Sequence, residues 1–229
     1  MLRGAESGGE LVFLLDVDKT LLDNDRFGGD LGDRLEESFG RVQRERYWQI
    51  FSDRREALGL ADYLGALQLF RTGLDDDPGL LGMSSFLLDY PFSSLLFPAA
   101  LEVVAHLESL GKPVVLSDGD VVFQPRKIHR SGIWEAVRGR VLIYLHKEKM
   151  LDHVRRRFPA THYVMVDDKP DLLAAMKTSL GSELTTVFVR QGHYASAARS
   201  NQPTPPPDRV VDRIADLLTL KTSDFQVHS

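Results

Sequence analysis

The chain has 229 residues, 43% of them hydrophobic and 27% charged, with a formal net charge of −5. This length and composition fit one large domain, or one domain with an insert, and exclude a chain that is disordered throughout. Cysteine is absent, which excludes disulfides, thiolate catalysis and cysteine-bound metals. The acidic balance provides no basic surface for nucleic acid or membranes, and the first ten residues lack the apolar run of a signal peptide. We therefore expect a cytoplasmic protein that binds neither nucleic acid nor membrane.

The first predicted strand, Leu11–Leu15, is apolar throughout and is followed by a long segment without a convincing strand. Within that segment, Arg34–Leu58 and Ala61–Phe70 have the spacing of amphipathic helices. The pattern predicts a helical cap over residues 25–97, inserted after the first strand. Residues 1–24 and 98–229 would then form the core.

After the insert, short apolar runs alternate with amphipathic segments. The further predicted strands are Val114–Leu116, Val141–Leu145, Tyr163–Val166 and Thr186–Val189. The predicted helices are Ala99–Leu110, Gln124–Val137, Lys149–Phe158 and Pro170–Leu180, and a proline-rich linker at 201–208 leads to a last helix over Arg209–Leu220. This alternation predicts an α/β fold, a doubly wound, Rossmann-like parallel sheet with helices on both faces.

Charged or hydroxyl-bearing residues follow the first four predicted strands. They are Asp16 and Asp18 after the first strand, Ser117, Asp118 and Gly119 after the second, Lys147 after the third, and Asp167 and Asp168 after the fourth. Because ligands bind at the carboxyl ends of parallel strands, these residues are candidates for one shared site.

In this order, the residues resemble the four motifs of the haloacid dehalogenase superfamily of hydrolases, in which a helical cap commonly follows the first motif. The resemblance spans Leu11 to Asp168. It implies a nucleophile at Asp16 that forms an aspartyl-phosphate, and a general acid and base at Asp18. It implies a phosphate-binding set of Thr20, Ser117, Asp118, Gly119 and Lys147, and a Mg²⁺ ion held by Asp16, the backbone carbonyl of Asp18, and Asp168 or Asp167.

The second aspartate indicates the kind of reaction. Asp16 and Asp18 are two positions apart on an extended segment, so their side chains leave on the same side. Haloacid dehalogenases of the superfamily lack the second aspartate, since a halide leaves without a proton. The expected reaction is therefore hydrolysis of a small phosphorylated metabolite, with a cap that closes over the substrate and excludes water.

Other functions remain open at this point. A haloacid dehalogenase or a phosphomutase would use the same superfamily core, and a catalytically idle protein could bind a phosphorylated ligand in the same pocket. A signalling receiver domain has its acidic pair first in the chain, whereas the pair comes last here. A calcium-binding EF-hand loop starting at Asp23 fails, because Phe27 and Arg34 stand where ligands are required.

Several assignments also remain open. Lys149 competes with Lys147 because both follow the third strand, and Asp171 is a further candidate acid or a helix cap. His146 and His153 could line the site, as could Gln191–Tyr194 after the fifth strand. The cap arginine that meets the substrate could be Arg41, Arg44, Arg46, Arg54 or Arg55, whereas Trp48 and Phe51 are expected to pack between cap helices. The substrate and the oligomeric state are not indicated.

Overall fold

The computed structural model describes residues 11–191 and 203–225, and these residues form a six-stranded parallel sheet. The strands are β1 Leu11–Leu15, β2 Lys112–Asp118, β3 Val141–Tyr144, β4 His162–Asp167, β5 Leu184–Val189 and β6 Arg209–Val211. Their order in the sheet is β3-β2-β1-β4-β5-β6, so the chain reverses its direction of travel between β1 and β4. The predicted fold class, a doubly wound parallel sheet, is confirmed.

Helices cover both faces of the sheet. The helices are α1 Asn24–Phe39, α2 Arg41–Leu58, α3 Tyr63–Phe70, α4 Gly79–Asp89, α5 Ala100–Leu110, α6 Phe123–Arg130, α7 Ile133–Ala136, α8 Leu151–Arg157, α9 Pro170–Leu180 and α10 Thr222–Phe225, with 3₁₀ helices at Phe92–Leu95, Lys147–Lys149, Gly181–Glu183 and Ile214–Thr219. Among the described residues, no helix combines the length and apolar character needed to cross a membrane.

The strand side chains divide between two apolar clusters. Leu11, Phe13 and Leu15 of β1 pack on one face with α5, α6, α7 and the helices inserted after β1, whereas Val12 and Leu14 pack on the other face with α8 and α9. All five residues are buried, which explains why β1 is apolar at every position instead of alternating.

Helices α1 to α4 lie between β1 and β2, where the helical cap was predicted. They pack on the core mainly through aromatic rings, since Tyr63 of α3 contacts Phe123 of α6 with ring centroids 5.3 Å apart. Phe27 of α1 contacts the same Phe123 ring at 5.8 Å. The cap is thus seated on α6, while the domain limits at residues 25 and 97 stay a prediction.

Three predicted helices differ from the structure. The segment Arg34–Leu58 is two helices because Gly40, at φ +80°, breaks it, and Gly132, at φ +83°, divides Gln124–Val137 in the same way. The predicted last helix, Arg209–Leu220, is wrong. Its first residues form β6, which pairs with β5 from Val187↔Arg209 to Val189↔Val211, and a 3₁₀ helix follows. Pairing with a distant strand outweighs the local helical pattern.

Candidate active site

The carboxyl ends of β1 and β4 bring three carboxylates together. Asp16 follows β1 and remains in register, because its backbone N–H donates a hydrogen bond of 3.0 Å to the carbonyl of Val166. Asp167 ends β4 and Asp168 follows it. Asp16, Asp167 and Asp168 are buried and offer carboxylate oxygens within 4.8 Å of one another. Three of the predicted site residues therefore form one cluster.

A lysine from the turn after β3 completes this cluster. The Nζ of Lys147 donates a 2.5 Å hydrogen bond to Asp16 Oδ1 and lies 2.6 Å from Asp167 Oδ2. Its backbone N–H donates a 2.8 Å hydrogen bond to Asp118 Oδ1, which holds the turn against β2. Lys147 is fully buried whereas Lys149 is exposed, so Lys147 is the lysine at the site.

Burial and charge shift the pKa values of this cluster. Burial raises the pKa of Asp16 to about 6 although the Lys147 ammonium lies beside it. Burial, with repulsion from Asp16 and Asp167, raises the pKa of Asp168 to about 8. Burial disfavours the charge on Lys147, but the Asp16 and Asp167 carboxylates outweigh it and raise its pKa. Lys169 also lies near these carboxylates, and Asp16 and Asp167 raise its pKa although burial disfavours its charge. The raised pKa values of Asp16 and Asp168 thus show that the carboxylates repel one another and that a further cation would stabilise their charged forms.

The donor set fits a hard divalent cation. Both side-chain oxygens of Asp168 are buried and have no hydrogen-bond partner, although buried carboxylate oxygens are rarely left unpaired. All candidate ligands in the cluster are oxygens, the atoms that Mg²⁺ prefers. The predicted contribution of Asp18 is its backbone carbonyl and stays a prediction; its carboxylate lies outside the cluster and contacts α6.

Asp18 is held by two residues that the sequence analysis missed. Its Oδ1 forms an ion pair with Lys127 Nζ, and its Oδ2 accepts a hydrogen bond of 3.2 Å from Gln124 Nε2. Gln124 and Lys127 lie three positions apart on the buried face of α6. The signal in the sequence was a pair of polar residues on the side of a predicted helix that faces the core.

The other predicted phosphate-binding residues occupy different positions relative to Asp18, Gln124 and Lys127. Ser117 Oγ accepts a 2.8 Å hydrogen bond from Gln124 Nε2, and Gly119 lies against the Gln124 side chain. Thr20 is buried with its hydroxyl unpaired and does not line the cavity described below. Gln191 donates a 2.6 Å hydrogen bond to the Thr20 carbonyl, so it supports the loop that follows β1. Residues 192–194 lie outside the described residues.

A cavity of about 260 Å³ opens between this edge of the sheet and the cap. The core side of its wall includes Asp18, Asp118, Gly119, Gln124, Lys127, Asp168 and Lys169. The cap side includes Trp48, Phe51, Arg55, Leu60, Ala61 and Tyr63, and Lys19, Asn24, Asp25 and Gly28 lie between the two sides. Phe51 packs on Tyr63 of α3, as predicted, whereas the ring of Trp48 contacts Tyr47 and Phe51 of its own helix, and both residues also line the cavity. His146, His153 and Asp171 are absent from its lining.

Of the five candidate cap arginines, Arg55 is the one in the cavity wall. The other four arginines form ion pairs or hydrogen bonds with partners in the cap. Arg41 pairs with Glu45, Arg44 with Glu36, and Arg54 with Asp62, while Arg46 donates a hydrogen bond of 2.7 Å to the Thr72 carbonyl. Arg55 is the cap arginine placed to meet a bound ligand.

The chain is similar to solved structures of hydrolases. A haloacid dehalogenase-like hydrolase from Burkholderia xenovorans LB400 is 55% identical, covers 93% of this chain and 99% of its own, and superposes with a TM-score of 0.84. The magnesium-bound HAD-hydrolase YfnB from Bacillus subtilis is 15% identical (92% of this chain, 99% of its own, TM-score 0.63). L-2-haloacid dehalogenase from Xanthobacter autotrophicus, with chloropropionic acid covalently bound, is 16% identical (91%, 96%, TM-score 0.59). No protein-family model and no curated protein matches the chain.

A doubly wound sheet with a carboxylate and lysine cluster at its switch point defines a Rossmann-like α/β protein with its candidate site where such folds bind ligands. With 55% identity over nearly the whole length of the Burkholderia protein, the chain belongs to the haloacid dehalogenase-like hydrolase family. The resemblance inferred from the motifs is confirmed at the level of the superfamily. The two more distant structures, at 15% and 16% identity, support the fold alone.

Proposed function

We propose that the protein is a Mg²⁺-dependent phosphatase that hydrolyses a small phosphate monoester through an aspartyl-phosphate on Asp16. One observation supports this activity over dehalogenation: a second carboxylate, Asp18, lines the cavity beside the cluster. Its side chain is 30% exposed and fixed by Lys127 and Gln124. An alkoxide leaving group needs a proton and a halide does not, so a carboxylate at this position favours phosphate ester hydrolysis.

The proposed reaction has two steps, formation of the aspartyl-phosphate and its hydrolysis. In the first, an Asp16 oxygen attacks phosphorus, the bond to the ester oxygen breaks, and Asp18 gives that oxygen a proton. In the second, water attacks the phosphorus of the aspartyl-phosphate, Asp18 takes the proton, and inorganic phosphate leaves with the Asp16 carboxylate restored. Lys147 holds the Asp16 oxygen through the 2.5 Å hydrogen bond in the resting site.

Asp16, Asp167 and Asp168 would hold the Mg²⁺ ion. When bound, it would offset the repulsion between the carboxylates and an anionic phosphate. The two unpartnered oxygens of Asp168 and the excess of carboxylates over ammonium groups support this assignment. Ser117 would supply a hydrogen-bond donor near the phosphoryl oxygens, and Lys147 a fixed positive charge.

The roofed cavity favours a small substrate. A volume of about 260 Å³ admits a phosphorylated metabolite and excludes a folded phosphoprotein or a duplex nucleic acid. The absence of a basic surface, inferred from the net charge of −5, also disfavours nucleic acid and membrane partners. We further propose that such a metabolite is met in the cytoplasm.

Phosphate release from a panel of small phosphomonoesters tests the proposal. We expect release with Mg²⁺, loss of release with EDTA, and a loss of ~10⁴-fold or more in kcat for Asp16→Asn, the scale seen when a nucleophile is removed. Asp152→Asn, an exposed carboxylate at the start of α8, is the matched control and should behave like the wild type.

The same proteins are assayed for halide release from short 2-haloacids. Halide release that depends on Asp16, without phosphate release, would replace the phosphatase by a dehalogenase. Phosphate transfer to a sugar hydroxyl in place of water would indicate a phosphomutase. Binding of beryllofluoride without turnover of any compound would indicate a ligand-binding protein.

A further inference from the structure

We propose that Gln124 and Lys127 of α6 are positioning residues, which hold Asp18 in the orientation required for proton transfer to the leaving group. This inference rests on the proposed phosphatase function and assigns a role to two residues that lie outside the four motifs. Lys127 acts through Asp18, and Gln124 acts through Asp18 and Ser117.

The burial of Lys127 is the first reason. Its side chain is 2% exposed, and a buried ammonium is costly unless an opposite charge compensates it. The carboxylate in ion-pair contact with it is Asp18, which belongs to a distant part of the chain. The ammonium also lies 5.7 Å from the centre of the Phe123 ring, the same ring on which the cap is seated.

The hydrogen bonds of Gln124 are the second reason. Its amide nitrogen donates to Asp18 Oδ2 at 3.2 Å and to Ser117 Oγ at 2.8 Å, so one side chain connects the proton-handling carboxylate to the phosphate-binding hydroxyl. Gly119 makes room for this arrangement, because a Cβ at that position would lie 2.7 Å from Gln124 Cβ and Cγ. The glycine after β2 therefore permits the close approach of α6.

The geometry leaves Asp18 able to react. A carboxylate has about four lone-pair positions, and the contacts with Lys127 and Gln124 occupy one on each oxygen. Asp18 lines the cavity and its side chain is 30% exposed, so the remaining positions are accessible to a ligand. Holding a reacting group in a productive orientation lowers the barrier by removing rotational freedom beforehand.

The attachment of α6 to the rest of the protein does not require these two polar residues. Phe123 and Ile128 anchor the helix in the apolar core. On its outer side, Arg126 forms an ion pair of 2.7 Å with Asp89, and Arg130 donates a 3.1 Å hydrogen bond to the Tyr90 carbonyl. Apolar side chains at positions 124 and 127 would attach α6 to the core equally well. The polar groups of Gln124 and Lys127 are therefore explained by their contacts with Asp18.

The test compares two substrates that differ in their need for a proton. Lys127→Met removes the ammonium and keeps a chain of similar length, and kcat/KM is measured on p-nitrophenyl phosphate and on the best alkyl phosphate of the panel. This parameter covers only the steps through departure of the leaving group, so the later role of Asp18 with water does not enter. We expect a loss of ~10²-fold on the alkyl phosphate and less than ~5-fold on the nitrophenyl ester, whose leaving group needs no proton.

Asp18→Asn should give the same selective pattern, and Lys127→Met in the Asp18→Asn background should add little, since both changes remove one function. Gln124→Leu and Gly119→Ala should shift the ratio in the same direction by a smaller factor. Arg126→Met, on the exposed side of the same helix, should leave the ratio of the two substrates unchanged. Activity on the nitrophenyl ester shows that each variant is folded, and Gln124→Leu carries the test if Lys127→Met does not fold.

Equal losses on both substrates, or losses of Asp18→Asn and Lys127→Met that multiply, would overturn the positioning role and leave the phosphatase intact. Absence of phosphate release by the wild type from every substrate would overturn the proposed function itself. The two failures are therefore distinguishable in one set of assays.

Discussion

The two walls of the cavity are built from opposite kinds of side chain. The core wall is charged, with Asp18, Lys127 and Asp168 in its lining, and Asp168 belongs to the buried cluster with Asp16, Lys147 and Asp167, all less than 5% exposed. The cap wall is largely aromatic, with the Phe51 and Tyr63 rings stacked at 4.6 Å and Arg55 as its arginine. Buried charges require exact partners, whereas aromatic surface packs in many ways. The comparison indicates that the core wall carries the chemistry and the cap wall selects the substrate.

The walls also differ in how the chain builds them. The charged groups of this cluster come from the ends of β1, β3 and β4, and the parallel register of these strands with β2 brings them to one edge of the sheet. The cap wall comes from α2, α3 and the turn between them, which contact the core through Phe123. A change in the core wall should therefore remove activity, and a change in the cap wall should alter which substrate binds.

Among the changes that compare the two walls, the largest effect is expected for Lys147→Met. It removes the ammonium shared by Asp16 and Asp167, so we expect kcat to fall by ~10²–10³-fold, the scale of a lost electrostatic contact in an active site. Breaking a buried ion pair on one side should also lower the free energy of unfolding by ~3 kcal/mol or more. Phosphate release and urea denaturation measure the two losses.

Lys149→Met is the matched control. It removes a lysine from the same 3₁₀ helix, but the side chain is exposed and outside the cluster. We expect a change in stability within ~0.5 kcal/mol and wild-type activity. If the two variants lost activity equally, the distinction between the buried and the exposed lysine would be wrong.

The core wall was predictable because sheet geometry alone locates it. Asp16, Lys147, Asp167 and Asp168 all follow apolar runs, and parallel strands present such residues at one edge. Gln124 and Lys127 were missed because polar residues on a helix are usually exposed. Their burial depends on the position of the Asp18 carboxylate, which is 109 residues away from Lys127 in the sequence.

The cap wall was not predictable from periodicity. The five candidate arginines all lie on α2, and the helical period gives their directions relative to one another without saying which face meets the cavity. That face is fixed by the packing of Phe51 on Tyr63 of α3. Strand β6 was missed for a related reason, since its three residues are held by pairing with β5.

An intermediate effect is expected for Arg55→Ala in the cap wall. If the cap selects the substrate, the lost cation should raise KM by ~10-fold, about 1.4 kcal/mol of binding, for a phosphomonoester with a second anionic group. It should leave kcat close to the wild-type value, because the cluster at Asp16 is unchanged. The same measurement on a phosphomonoester without the second anion shows whether the arginine contacts that group.

Arg41→Ala is the control, since Arg41 is an exposed residue of the same helix that pairs with Glu45. It should change neither KM nor kcat. A fall in kcat with unchanged KM for Arg55→Ala would contradict the division of labour between the two walls, because it would give a cap residue a role in the chemical step.

The smallest effect is expected where the two walls touch. Gly59 ends α2 at φ +73°, and a Cβ there would lie 3.2 Å from His146 Cε1, in the loop that leads to Lys147. A Cβ added at Gly73, which has φ +83°, would have no atom within 4 Å.

Gly59→Ala and Gly73→Ala should each cost ~1 kcal/mol of unfolding free energy from the left-handed backbone alone. Any further loss of unfolding free energy in Gly59→Ala measures the contact between cap and core. We expect this loss to be below ~1 kcal/mol, because the His146 side chain is 47% exposed and able to move. A larger loss for Gly73→Ala in urea denaturation would show that this contact does not join the two walls.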